Sequence, residues 1–172
     1  MASGLVYLDF NGTGYVDCGT GYPIAGTSNF SFGCWFSPWS ISAGETELMF
    51  SSSHFRIAID SAGKLVFGLA NHAGSFYWVT TDEAVQVGGR YFVMCTYDGA
   101  TMCIYVNGVL AKSGVEVSGD ILASAIDNVT LGGTRFGVFL YDGAMAEAML
   151  WLRTLSPQEV KELYFFPLNS IA

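Results

Sequence analysis

Charge is what this chain has least of. Only 13% of its residues are Asp, Glu, Lys or Arg, about half of the roughly 25% usual in a soluble domain. Basic residues are scarcest, seven against 15 acids, for a net charge of -8. Binding to nucleic acid draws much of its affinity from cations that displace counterions from phosphate. Nucleic acid and anionic lipid are therefore not expected partners. Long apolar runs are also missing, because the longest uncharged stretch, Cys18 to Gly44, is broken by Gly, Ser, Thr and Pro. No membrane insertion is expected. Residues 1 to 25 carry no basic segment followed by an apolar run, so folding without a recognisable secretion signal is expected. Metal-ligand spacing is absent too: no Cys-x-x-Cys occurs, and His54 and His72 lie far from any Cys.

What the chain does have is apolar and aromatic side chains, 51% and 15% of its 172 residues. That content excludes a disordered or acidic solvating segment, and the length suits one compact domain over residues 1–172. Twenty-one glycines punctuate short apolar stretches that alternate with period two, the pattern of an all-β chain with many turns. Phe30, Phe32, Cys34 and Phe36 fall on one face of a strand, with Trp35 on the other. Phe55, Ile57 and Ile59 lead through the turn Asp60-Ser61-Ala62-Gly63 to Leu65, Phe67 and Leu69, a hairpin. Tyr91–Tyr97 and Met102–Asn107 form a second hairpin. If Tyr97 faces Met102, then Val93, Cys95, Tyr97, Ile104 and Val106 point inward, while Met94, Thr96, Cys103 and Tyr105 point away. Asn107-Gly108 is a type I′ turn signal that returns Val109–Lys112 as another strand. Further strands are expected at Leu5–Phe10, Tyr15–Cys18, Glu47–Ser51, Tyr77–Thr81, Asn128–Leu131 and Gly143–Leu152. About a dozen strands make two packed sheets or a barrel. Ser156-Pro157-Gln158-Glu159 is a capping box with Pro at the first helical position, which predicts a short C-terminal helix at about 156–165, packed on the sheets.

Three of the four cysteines, Cys18, Cys34 and Cys95, occupy inward apolar positions, where a reduced thiol serves as a small hydrophobe. Cys95 and Cys103 face opposite sides of their hairpin, which argues against a disulfide between them. Three Asn-x-Ser/Thr matches, at Asn11, Asn29 and Asn128, are the chance product of a chain rich in Ser and Thr.

No catalytic constellation is legible. Glycosidases need two carboxylates flanking a sugar bond, and no acidic ladder occurs on any predicted strand. Gly-x-Ser-x-Gly is absent, and no helix follows Gly12-Thr13-Gly14 or Gly132-Gly133 to make a phosphate loop. An enzyme is not expected. Exposed aromatics serve as sugar-stacking platforms or as protein interface anchors. Trp35 and Trp151 sit within strands and are read as packing residues. Trp39 and the Phe76-Tyr77-Trp78 run lie next to loops, so Trp39, Tyr77 and Trp78, with Tyr105, are the candidate carbohydrate- or partner-binding residues.

Leu8-Asp9-Phe10-Asn11-Gly12 with Tyr15-Val16, Phe30 to Phe36, Thr96-Tyr97-Asp98-Gly99, Tyr105-Val106-Asn107-Gly108, Leu131-Gly132-Gly133 and the closing Glu147 to Val160 resemble the concanavalin A-like, laminin G-like jelly roll, which pentraxins share. The resemblance implies a two-sheet antiparallel jelly-roll sandwich with one short C-terminal helix. The family usually has Trp at Arg90, His at Phe92, Asp at Asn11 and an Asp-Glu pair at Ala146-Glu147. Some relatives hold a structural Ca²⁺ through such acids. Asp142 and Glu147 are the remaining candidate ligands here, and no other cofactor is expected.

Two functions follow. One is a non-catalytic structural or decoration protein of a larger assembly, such as a virus (phage) particle surface, with capsid or tail proteins or further copies of itself as partners. The outward Met94, Cys103 and Tyr105, with the loop aromatics, then forecast an outer surface covered by another molecule. The other is a lectin-like module that binds glycans through its loop aromatics. Both place the protein on a virion or in the extracellular space.

Overall fold

A computed structural model describes residues 7–20, 27–42, 46–51, 54–70, 75–116 and 128–166, with backbone alone for 46–51, 115 and 116. In chain order they form β1 (Leu8–Asn11), β2 (Val16–Thr20), β3 (Phe30–Pro38), β4 (Thr46–Ser51), β5 (Phe55–Ile59), β6 (Lys64–Ala70), β7 (Phe76–Ala84), β8 (Tyr91–Tyr97), β9 (Thr101–Val106), β10 (Val109–Glu116), β11 (Asn128–Leu131), β12 (Asp142–Trp151) and the helix α1 (Pro157–Phe165). Two six-stranded antiparallel sheets result, in the orders β1-β12-β3-β8-β9-β10 and β2-β11-β4-β5-β6-β7. We call them the first and the second sheet. The jelly-roll architecture and the expected strands are all present. The expected Leu5–Phe10 strand is described only from Leu8, its first two residues lying outside the described range.

Period-two alternation explains the layers, since successive side chains on a strand point to opposite faces. Phe30, Phe32, Cys34 and Phe36 of the first sheet meet Phe55, Ile57, Leu65, Phe67 and Leu69 of the second in one buried cluster. Within it Phe32 and Phe55 pack edge-to-face at 4.5 Å and 66°, an arrangement that adds to the gain from burial alone. Tyr97 pairs with Met102 as expected, and Asn107 and Gly108 have φ of 51° and 77°, the two positive values that a type I′ turn requires. All four cysteines are free thiols. Burial pushes the Cys34 thiol up to about 12, so it packs as a neutral hydrophobe. Cys95 is likewise fully buried and raised, while Cys18 is half-buried against the core.

The outer face of the first sheet corrects one expectation. Met94 and Tyr105 point away from the inter-sheet core as predicted, yet they are 0% and 5% exposed. They join Trp35, Phe92, Ala146, Met149, Leu155 and Val160 in a second cluster, with Cys103, Leu163 and Tyr164 against it. The cover is the chain's own helix. Buried Ser31 sets its approach, donating to Arg153 O and accepting from Leu155 N at 3.0 and 2.9 Å. Thr154 Oγ1 donates to Tyr97 O at 2.6 Å. The predicted capping box then starts α1, with Ser156 Oγ accepting from Glu159 N and the Glu159 carboxylate accepting from Ser156 N.

Candidate functional site

Phe76, Tyr77 and Trp78 are consecutive on β7, so the strand splits them between its faces. Tyr77 turns inward, packed against the inter-sheet core. Phe76 and Trp78 turn outward, 46% and 39% exposed, on the outer face of the second sheet. Their rings stack at 5.3 Å with 19° between planes. The indole rests where its cross-strand neighbour has no side chain: Trp78 pairs with Gly68, and a Cβ on Gly68 would collide with the indole. Gly68 in turn pairs with Arg56 of β5, whose guanidinium carbon lies 4.2 Å from the centroid of the Trp78 ring. That is a cation–π contact. The result is an aromatic ledge, two residues long on one edge strand, with a guanidinium beside it.

The other candidate residues lie elsewhere. Trp39 follows the end of β3, 47% exposed, with its backbone N–H donating to Asp142 O at 2.9 Å. It makes no ring contact with the Phe76–Trp78 pair. Tyr105 does not offer a binding surface: it is buried in the cluster under α1, because the capping-box helix closes over that face. Burial raises its phenol above the usual tyrosine range.

The two calcium candidates are not brought together. Asp142 opens β12, where Ser40 Oγ donates to its Oδ2 at 2.7 Å. Glu147 sits five residues on, in the bulge between Ala146 and Met149, with a left-handed φ of 49°. At ~3.3 Å per residue their backbones stand roughly 16 Å apart. Among the described residues no three His, Cys, Asp or Glu side chains gather as a metal would need, so this donor set does not fit the Ca²⁺ that the family resemblance implies.

Sequence reasoning passed over Arg56 and Gly68, and it treated Phe76 only as part of a run. The signal was there, since alternation from the inward Phe55, Ile57, Phe67 and Leu69 puts Arg56 and Gly68 outward. What period two cannot supply is the register that sets Gly68 between Arg56 and Trp78. Also unread was the turn between β11 and β12, in which Thr134 Oγ1 accepts from Phe136 N and Val138 N, both at 3.3 Å. It holds up Phe136, Val138 and Phe139, 72%, 48% and 47% exposed.

The family model described as the concanavalin A-like lectin/glucanases superfamily matches residues 10–161. Comparison with curated proteins finds no match. Among solved structures, the SAP-like pentraxin of Limulus polyphemus superposes with a TM-score of 0.71 at 17% identity, over 95% of this chain and 83% of that one. Domain 4 of the extracellular arabinanase AbnA of Geobacillus stearothermophilus, in complex with arabinotriose, gives 0.73 at 19%, over 94% and 81%. The ligand-binding domain of botulinum neurotoxin serotype D, in complex with N-acetylneuraminic acid, gives 0.73 at 15%, over 94% of this chain but 42% of that one. At these identities the likeness is one of fold. No helix among the described residues is long and apolar enough to cross a membrane.

Proposed function

The chain belongs to the concanavalin A-like lectin/glucanases superfamily, and from that premise we propose that residues 1–172 are one non-catalytic carbohydrate-binding module acting outside the cell. The sugar ring stacks on the Phe76–Trp78 ledge. A pyranose or furanose has an apolar C–H face and a rim of hydroxyls, so it suits a flat aromatic surface with polar groups at its edge. The carrying observation is the exposed, stacked Phe76–Trp78 pair with Arg56 beside it. Arg56 supplies N–H donors to sugar oxygens, and Thr80, two residues beyond Trp78 on the same face, supplies a hydroxyl. The glycan ligands in two of the superposed structures support the reading.

Glycan-array screening followed by calorimetry tests it. Trp78→Ala is expected to weaken the best oligosaccharide at least tenfold, about 1.4 kcal/mol, while Trp39→Ala leaves affinity unchanged. No hit across neutral and acidic glycans, or a hit whose affinity survives Trp78→Ala, overturns the assignment.

A second reading, a decoration role in a larger assembly such as a virus particle, is favoured by one observation, the exposed apolar turn at Phe136, Val138 and Phe139. Its other motive, the outward Met94, Cys103 and Tyr105, is accounted for by α1. Light scattering discriminates: assembly through this turn predicts self-association that Phe136→Ser with Phe139→Ser abolishes, and a monomer at high concentration excludes self-association through it.

A further inference from the structure

The outer face of the first sheet holds a groove that α1 does not cover. It has a volume of about 220 Å³ and is lined by Tyr7, Trp35, Ser37, Arg90, Ala144 and Ala146. Its floor exists because β12 places small residues opposite β3: Ala144 pairs with Ser37, and Ala146 with Trp35. Trp35 is the fixed wall. It is 8% exposed, stacked on Tyr164 at 5.5 Å and 25°. The Arg90 guanidinium carbon lies 4.4 Å from its ring centroid.

Arg90 has an unusual position for a cation in a chain of net charge -8. Lys112 and Arg153 pair with Asp82 and Glu159. Among the described residues Arg90 has no carboxylate partner and no hydrogen-bond acceptor; it is held by an aromatic ring instead. The indole N–H of Trp35, on the same wall, is buried with no acceptor. The guanidinium can only donate, no carboxylate among the described residues lines the groove, and the other accessible side-chain polar groups there are the Tyr7 and Ser37 hydroxyls, so the groove presents an unpaired cation above a largely apolar floor. Such a site is complementary to an anion that has an apolar body.

We infer that this groove binds a single ring bearing a carboxylate. The carboxylate takes the two-pronged guanidinium of Arg90, a geometry that lysine cannot reproduce. The ring lies over Ala144 and Ala146 against the edge of Trp35. The volume is below the roughly 300–1,000 Å³ of pockets for drug-sized ligands, which limits the occupant to about one ring. The shared chemistry has two sources, a hexuronic acid or a non-sugar cyclic acid. The site is separate from the Phe76–Trp78 ledge and does not depend on it.

The test uses the full chain, with glucuronate and cyclohexanecarboxylate as probes and glucose and cyclohexylmethanol as their neutral counterparts. Binding is read from the Trp35 indole N–H resonance, assigned with Trp35→Phe, and from calorimetry. At least one acid is expected to shift that resonance and to bind at least tenfold tighter than its neutral counterpart. Arg90→Gln is expected to remove the preference for the acid, and Ala144→Leu, which fills the groove, to remove binding itself. Both variants are checked for an unchanged melting temperature. Failure of both acids to bind, equal binding of acid and neutral probe, or acid binding that persists in Arg90→Gln overturns the inference. A preference for glucuronate assigns the site to sugars, and one for cyclohexanecarboxylate to non-sugar acids.

Discussion

Glu159 answers four donors with two oxygens: both terminal nitrogens of Arg153 at 3.0 and 2.7 Å, and the backbone N–H and hydroxyl of Ser156 at 2.8 and 2.9 Å. The Arg153 guanidinium first, and then the Ser156 groups, hold its carboxyl down to about 2, against an ordinary 4.5. The pair is solvent-exposed and screened, so its effect is small, but its sign is fixed. The folded state favours the ionised form, so the contribution is fully present above pH 4.5 and is lost as the pH falls towards 2. Glu159→Gln is therefore expected to lower the melting temperature by a constant amount above about pH 5. The gap should narrow between pH 4.5 and 2 and vanish below that range. Parallel thermal scans of the two proteins at a series of pH values check this, and a gap that widens on acidification would contradict the assigned ion pair. Tyr164 and Val160, on the helix that this cap starts, close the outer cluster, so the residue acts on more than its own turn.

At the level of elements, the strands and α1 were legible because each carries a local signal: period two for strands, Ser-Pro-Gln-Glu for the helix, Asn-Gly for the turn after β9. Even the facing of Met94, Cys103 and Tyr105 was legible, and what covers them was not. A helix of nine residues does not disclose in sequence which of several apolar faces it will lie on. That choice is made in space, by Ser31 capturing Leu155 N and Arg153 O and by Thr154 reaching Tyr97 O. The same distinction separates the candidate binding residues. Trp78 and Trp39 were found by type and by nearness to loops. Tyr77 shared those features, and Tyr105 was found as an outward aromatic on its strand, but strand parity turned the first into the core and α1 covered the second. Arg56, Gly68 and Arg90 announce nothing in isolation. Each matters through a partner remote in sequence, and cross-strand register is what joins them.

On the scale of the whole molecule, the sparse charge is resolved into three apolar layers: the core between the sheets, the cluster under α1, and the exposed ledge at Phe76 and Trp78. The two proposed sites stand on opposite outer faces. Packed sheets are about 10 Å apart, and the interior between these two is filled by fully buried Phe30, Phe32, Phe55 and Phe67. Changes separated by more than ~7–10 Å with no shared partners combine additively within about 0.5 kcal/mol. Trp78→Ala should therefore weaken the oligosaccharide and leave the ring carboxylate's affinity as it was, while Arg90→Gln should do the reverse. The double variant should show both losses, each within about 0.5 kcal/mol of its single-variant value, by calorimetry with each probe alone and then with the other at saturation. Coupling larger than that would mean that the two ligands meet at one surface or that the core transmits between the faces. A densely packed interior lined by edge-to-face rings has one arrangement rather than two, so independence is the expected result.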